Sequence, residues 1–461
     1  MTAQPAAVDL LVEAEFLYPM TPGAPIVRGG EVAIANGRIV HAGPAKPAGH
    51  WAPGRVLRGA GKAVLPGFVN AHCHAGSTVF RSQTDDQGGG AALYTIAFRM
   101  EKEIGAEEWR DLAWLGCLDM VKAGITTLND IWYAPEALAE AVEVTGLRAD
   151  IANKVFDVRL EELHHGDYAR HPEIGAARLR GGIEFAERWH GGADGRIRAR
   201  LGTHATDTCA EGLHREARAE ADRLGVGMHI HAAQSPREVE QIRAAHGKGP
   251  LEYLRDIGLL RPDVVCAHLT FASDGDLEAM KASGAAYAHC PIIYPRRGRY
   301  PRLRDILARG IPTGFATDWM TNDPFEGMRN AINATRILLG DAEFLPCEEA
   351  LGRHTIGSAR VLGLDAEVGS LEPDKKADLI MVDLDRPHLQ PFYGGFPAVV
   401  FYAKASDVVT SIVDGRVIME DRRLVGVDEE AILAAVKQRV PRWSTQLKAL
   451  GSGAVVDPCG C

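Results

Sequence analysis

The sequence has no run of about 18 uncharged apolar residues, the minimum for a membrane-spanning helix. Its N-terminus also lacks a charged start followed by the apolar core of a signal peptide. A cytoplasmic protein with no membrane partner is therefore expected. A basic run of the kind a phosphate backbone requires is missing as well. The 51 Lys and Arg stand against 61 Asp and Glu, a net charge of -10, so nucleic acid is not an expected partner. Aromatic residues are sparse at 7%, but 46% hydrophobic and 24% charged residues are ordinary for globular chains, which excludes disordered, collagen-like and coiled-coil classes. Internal repeats and low-complexity segments are absent. Cysteine is thin too: the eight thiols are scattered through apolar segments without the spacing of a disulfide framework and read mostly as reduced core residues. Only the terminal Pro458-Cys-Gly-Cys461 differs, where two thiols on a tail could take up a metal or oxidise.

What is present is length and histidine. The 461 residues are about three times a usual domain of roughly 150, enough for one large domain with an elaboration. Residues 7–60 are short apolar stretches broken by Gly and Pro, the pattern of a small antiparallel β unit. The same texture returns at Ala377–Asp383 and Val408–Met419, the latter with an Asp414-Gly415 hairpin turn. Between these ends, eight strand-like runs at 64–69, 126–129, 149–155, 198–202, 227–231, 264–268, 285–289 and 313–316 are separated mostly by helix-length amphipathic stretches. This alternation predicts a (β/α)8 TIM barrel over 64–368, with a small β-sandwich drawn from 1–63 and 369–461. The long interval from Val69 to Thr126, with Gly88-Gly-Gly90, predicts an inserted active-site loop.

Of the 17 histidines, several fall in tight pairs or at the ends of apolar strand-like runs. His72 and His74 alternate on the first barrel strand, so both side chains point one way and can reach one ion. His229 and His231 repeat the pattern on another strand, with His229 reading as a buried structural residue. His204, His268 and His289 close further apolar runs, and Asp318 closes one more. Packing alone does not place histidine at five strand ends, whereas the C-terminal face of a barrel is where its chemistry sits.

The ordered set His72-Cys-His74 within Leu65-Pro-Gly-Phe-Val-Asn-Ala, then His231, His268, His289-Cys-Pro291 and Thr317-Asp318, resembles the amidohydrolase superfamily. It is most similar to the cytosine deaminase, chlorohydrolase (triazine hydrolase) and S-adenosylhomocysteine deaminase branch, over about residues 7–425. The resemblance implies that His72, His74, His231 and Asp318 hold one divalent metal, expected to be zinc with iron an option. Water acidified by that metal would be the nucleophile. Asp318 would also accept and pass on a proton, and His268 would orient the water or stabilise developing charge. His204 and His289 would face the substrate. No lysine reads as a bridge to a second metal, so one ion is expected. The resemblance also implies a homo-oligomer.

Two departures bear on the substrate. Deaminases of this branch carry Glu three residues after the third histidine ligand; here the run is His231-Ala-Ala-Gln234, and an amide cannot deliver a proton at neutral pH. Either Gln234 orients the substrate while Asp318 moves the proton, or the substrate is an amide, lactam, carbamate or urea. After His289-Cys-Pro291 comes a loop with Arg296, Arg297 and Arg299, suited to clamping a planar anion. Tyr294, Trp319, Trp132 and Tyr133 follow strand ends and could stack on a flat ring, and Gln83 is a further candidate substrate contact. The expectation is thus a metal-dependent hydrolase of a carbon–nitrogen bond in a small planar nitrogen compound, of deaminase type. A non-catalytic ligand-binding barrel is the contrasting reading.

Overall fold

The computed structural model describes residues 4–86 and 92–452. Eight parallel strands make the central sheet, in the order of the chain: β6 (Phe68–Cys73), β7 (Ile125–Trp132), β8 (Arg148–Val155), β9 (Ile197–Ala205), β10 (Gly227–Ala232), β11 (Val264–His268), β12 (Ala286–His289) and β13 (Thr313–Phe315). The seam between first and last strands is joined just beyond β13, where Asp318 N–H donates to the His72 carbonyl at 3.1 Å and His74 N–H donates to the Asp318 carbonyl at 3.2 Å. Seven of the eight expected strand runs each fall on one of these strands, and the (β/α)8 barrel stands.

The two ends of the chain share a second, nine-stranded mixed sheet. Its strands are β1 (Ala6–Leu17), β2 (Val27–Ala35), β3 (Arg38–Pro44), β4 (Trp51–Leu57), β5 (Lys62–Pro66), β14 (Leu379–Asp383), β15 (Val408–Val413), β16 (Arg416–Glu420) and β17 (Arg423–Leu424). The order runs 17-16-15-14-5-1-2-3, with β4 also paired to β1. The N-terminal and C-terminal halves join where β5 pairs antiparallel with β14, Leu65 opposite Ile380. One apolar cluster, including Leu10, Val12, Leu17 and Ile34 from one end and Leu379, Met381 and Ile412 from the other, fills this module. Burying a side chain of this kind is worth about 1.5–3 kcal/mol, so the module depends on both ends being present.

The run 64–69, read as one strand, is two: β5 belongs to the mixed sheet and β6 to the barrel. The chain crosses between them at Gly67, where a Cβ would lie 2.1 Å from Thr126 Oγ1, so only glycine fits. The mixed sheet meets the barrel at strand starts, the end opposite the histidines: Gly67 N–H donates to Asp378 O, and Arg148 at the start of β8 reaches Asp378 and Asp414. The C-terminal helix Glu429–Ala449 instead lies on the barrel helix Ala106–Lys122, with Trp443 Nε1 donating to Glu108 at 2.9 Å. No helix among the described residues is long and apolar enough to cross a membrane.

The long first interval holds a short turn at Ala75–Phe80, then helical turns over Leu93–Ala97 and Phe98–Glu103 ahead of Ala106–Lys122. Gly88-Gly-Gly90 and the tail cysteines Cys459 and Cys461 lie outside the described residues. Cys73, Cys117, Cys209, Cys266, Cys290 and Cys347 are buried free thiols.

Candidate metal centre and active site

Three histidines and one aspartate converge at the C-terminal mouth of the barrel. His72 and His74 end β6, His231 ends β10, and Asp318 follows β13. The Nε2 atoms of His72 and His74 each lie 3.5 Å from Asp318 Oδ1, and His231 Nε2 lies 3.3 Å from His74 Nε2. Every Nδ1 is engaged on the far side. His74 Nδ1 meets the Ile131 carbonyl at 2.9 Å, His231 Nδ1 meets the His204 carbonyl at 2.6 Å, and His72 Nδ1 meets His229 Nε2 at 2.8 Å. A carbonyl only accepts, so His74 and His231 carry their protons on Nδ1 and turn bare Nε2 lone pairs toward each other.

Lone pairs facing at that distance repel unless a cation lies among them, and His72 Nε2 is buried with no hydrogen-bond partner. Burial, reinforced by the neighbouring histidines, holds His74 and His231 well below the usual histidine range, so both are neutral. For Asp318 burial opposes the charge, but His268, His72 and Arg297 outweigh it and hold the carboxyl down at about 2. Neutral imidazoles oriented by outer hydrogen bonds, with one ionised carboxylate, are the donor set of a divalent metal. His229, expected to be structural, is fully buried and supplies the outer contact to His72.

The backbone around this cluster is strained. His268 and Asp318 both sit at positive φ, 81° and 63°, as do Ala233 and Met320. Such conformations cost about 1–3 kcal/mol each and persist where surroundings over-determine them. At His268 the carbonyl accepts from Tyr287 OH at 2.9 Å and Tyr294 OH at 3.1 Å. At Asp318 the preceding Thr317 is pinned from across the seam: Asn70 Nδ2 donates to Thr317 Oγ1 at 2.7 Å, and Thr317 N–H donates to Asn70 Oδ1 at 3.0 Å. His268 Nδ1 is 4.0 Å from Asp318 Oδ2, and burial pushes its ring down to about 3.

A narrow cavity covers the cluster. Trp132 and Trp319 wall it, Trp132 at 4.5 Å from His74 between ring centres and Trp319 stacked on Phe80. Gln234, His204, His268 and Arg297 also face it. An outer chamber continues past Gln234, His268 and Arg297 to Tyr294, Ser235 and Arg299. Other candidates lie elsewhere. His289 has both ring nitrogens taken by Tyr287 and Tyr300 hydroxyls and does not line either chamber. Arg296 pairs outward with Asp85 and Glu326, and Gln83 accepts from Ser452 Oγ at 2.8 Å, away from both chambers.

Three functional neighbours went unread in the sequence. Lys154, near the end of β8, is 1% exposed, bonded to Glu101 at 3.0 Å, and sits 4.4 Å over the Trp132 ring while lining the inner cavity. With its ammonium occupied by Glu101, it is no bridge to a second metal. Asn70 was quoted only as part of a motif. Glu238 accepts from Thr206 Oγ1 and from the N–H groups of Ala233 and Gln234, so it shapes the turn that presents Gln234. The signal for Lys154 was a charged residue inside an apolar strand; the other two carried none without their partners.

Residues 63–418 match the model of the amidohydrolase family. The chain is 36% identical over 444 residues to a 5-methylthioadenosine/S-adenosylhomocysteine deaminase of Symbiobacterium thermophilum, covering 94% of this chain and 98% of that protein. It is 32% identical over 431 residues to a 5'-deoxyadenosine deaminase of Methanosarcina acetivorans, covering 92% and 96%. Among solved structures, a zinc-bound adenosine deaminase from Xanthomonas campestris superposes with a TM-score of 0.87 at 26% identity, over 96% of this chain and all of that one. The chain therefore belongs to the amidohydrolase family, as a metal-dependent hydrolase of carbon–nitrogen bonds other than peptide bonds.

Proposed function

We propose that the protein is a zinc-loaded hydrolytic deaminase of adenosine-type nucleosides, replacing the exocyclic amine of the purine with oxygen from water and releasing ammonia. The observation that carries the reading is the convergence of His72, His74, His231 and Asp318 beneath an aromatic-walled cavity, in a chain similar along its length to deaminases of methylthioadenosine, S-adenosylhomocysteine and 5'-deoxyadenosine. Those four residues would hold the metal, which supplies water acidified toward neutral pH. Zinc suits three nitrogens and one oxygen, although such donor sets accept other divalent ions.

The residues then divide the work. Trp132 and Trp319, set edge to face with ring centres 6.4 Å apart, offer adjoining aromatic walls to a flat ring. Asp318 moves two protons in turn, the first from the attacking water to the ring nitrogen and the second from the added oxygen to the departing amine. His268 faces the attacked carbon and stabilises charge that grows on its substituents. Gln234 hydrogen-bonds the ring edge without protonating it, so ring protonation falls to Asp318. The named activities of the relatives favour this form over amide, lactam, carbamate or urea cleavage, and the intact ligand set argues against a non-catalytic barrel.

The test is ammonia release from methylthioadenosine, S-adenosylhomocysteine and 5'-deoxyadenosine, with metal analysis of the same protein. Turnover that is lost with the metal in His72→Ala is expected. Failure to deaminate any of the three by a metal-loaded protein would sink the substrate reading. In the same assay Gln234→Glu is expected to change the pH profile of kcat, because it introduces a titrating acid at the ring edge.

A further inference from the structure

Three arginines leave one loop in two directions. Arg296 turns outward and is neutralised by Asp85 Oδ1 and Glu326 Oε1, both at 3.1 Å. Arg297 and Arg299 turn inward to the outer chamber, and neither makes an ion pair or a side-chain hydrogen bond with the described residues. Their guanidinium groups are steadied by rings instead, Arg297 Cζ 5.9 Å from the centre of Trp319 and Arg299 Cζ 5.0 Å from that of Phe271.

The chamber wall offers them no counter-charge. Among the described residues its remaining lining is apolar, amide, imidazole or hydroxyl, with no Asp or Glu. Burial disfavours the charge on Arg297, and Arg299 opposes it further, while the carboxylate acting on Arg297 is that of Asp318, already committed to the histidine cluster. Two half-buried cations that repel each other in a chamber without carboxylates are costly unless an anion joins them. Ser235 and Thr270 add hydroxyl donors on the same wall.

We propose that the outer chamber is an anion site in which Arg297 and Arg299 grip a carboxylate or phosphate on the substituent projecting from the substrate ring. The preferred substrate is then a nucleoside carrying an acidic group, an assignment that rests on the nucleoside reading above. Arg297 borders both chambers, so the acid is met within one substituent's reach of a ring in the inner cavity. A planar fork binds either oxyanion through paired N–H donors.

The experiment uses adenosine-type nucleosides matched except at the end of the 5' substituent: methyl, carboxylate or phosphate. With metal-loaded enzyme, kcat/KM is expected to be at least about ten-fold higher for one acid-bearing member than for the methyl compound, the difference lying in KM. Arg299→Gln should erase about ten-fold or more of that preference, and Arg296→Gln should leave the ratio between substrates where it is. The carboxylate and phosphate arms identify which acid is meant. Equal or weaker turnover of both acids by the unaltered enzyme, or an Arg299→Gln loss spread evenly over all three compounds, overturns the proposal. If no nucleoside is deaminated, the substrate reading fails separately, and the anion site is judged by melting with glutarate or inorganic phosphate. One of these should raise the melting temperature of the unaltered protein and not of an Arg297→Gln/Arg299→Gln double variant; identical shifts would overturn the site itself.

Discussion

Replacing Asn70 with alanine isolates the device that holds Asp318 at positive φ. The amide is fully buried and makes two hydrogen bonds to Thr317, one in each direction. Thr317 Oγ1 keeps a second contact, Asn322 Oδ1 at 3.3 Å, but the buried Thr317 N–H would lose its partner. An orphaned buried donor costs about 1–3 kcal/mol and the second lost bond about 1 kcal/mol, so destabilisation of about 2–4 kcal/mol is expected. For 461 residues the unfolding entropy is about 1 kcal/mol per kelvin, which turns this into a fall of about 2–4 °C in Tm. Freed from its clamp, Asp318 relaxes from φ 63°, and the metal site loosens by about 10–100-fold in affinity, the usual effect of removing an outer-contact residue. Thermal melting and zinc titration against a competing chelator measure the two effects on one sample. Asn70→Asp keeps the acceptor for Thr317 N–H and is expected to fall between. An Asn70→Ala protein with unaltered melting and unaltered metal affinity would refute the reasoning.

Two further outcomes concern stability. His214 is fully buried with neither ring nitrogen bonded, and burial pushes it down to about 3, so the unfolded chain binds its proton first as pH falls. Stability from this group is therefore complete above pH ~6.5 and is lost toward pH 3 with a slope of about 1.4 kcal/mol per pH unit; in denaturant melts from pH 7 to 4, His214→Leu should remove one proton's worth of that slope. Arg148 joins barrel to mixed sheet through Asp378 and Asp414 while nearly buried, so Arg148→Met should cost about 3–5 kcal/mol by leaving Asp378 unpaired, with Arg148→Met/Asp378→Asn recovering part of it in urea unfolding.

Strand alternation is a local property, and that is why the candidate ligands His72 and His74 were legible: residues two apart on a strand share a face whatever surrounds them. The eight apolar runs announced the barrel for the same reason. The run 64–69 misled because its hydrophobicity is continuous across Gly67, and which sheet each half joins is settled by pairing with Asp378 and β14, far along the chain. His289 carried the same strand-end signature as His268, yet its nitrogens belong to tyrosines whose approach no local pattern encodes.

By itself, then, the sequence determined the class of fold and, through its resemblance to a known family, the four candidate metal ligands and the amide standing where deaminases place an acid; of these, only the His72 and His74 pair follows from residue type at short spacing. Tertiary structure decided what those residues can do. It set Asn70 against Thr317 across the barrel seam, folded Lys154 onto Glu101, and sent Arg296 outward while turning Arg297 and Arg299 to the chamber. Whether a charge is neutralised or left free depends on partners distant in the chain, and only the closed barrel brings them within reach.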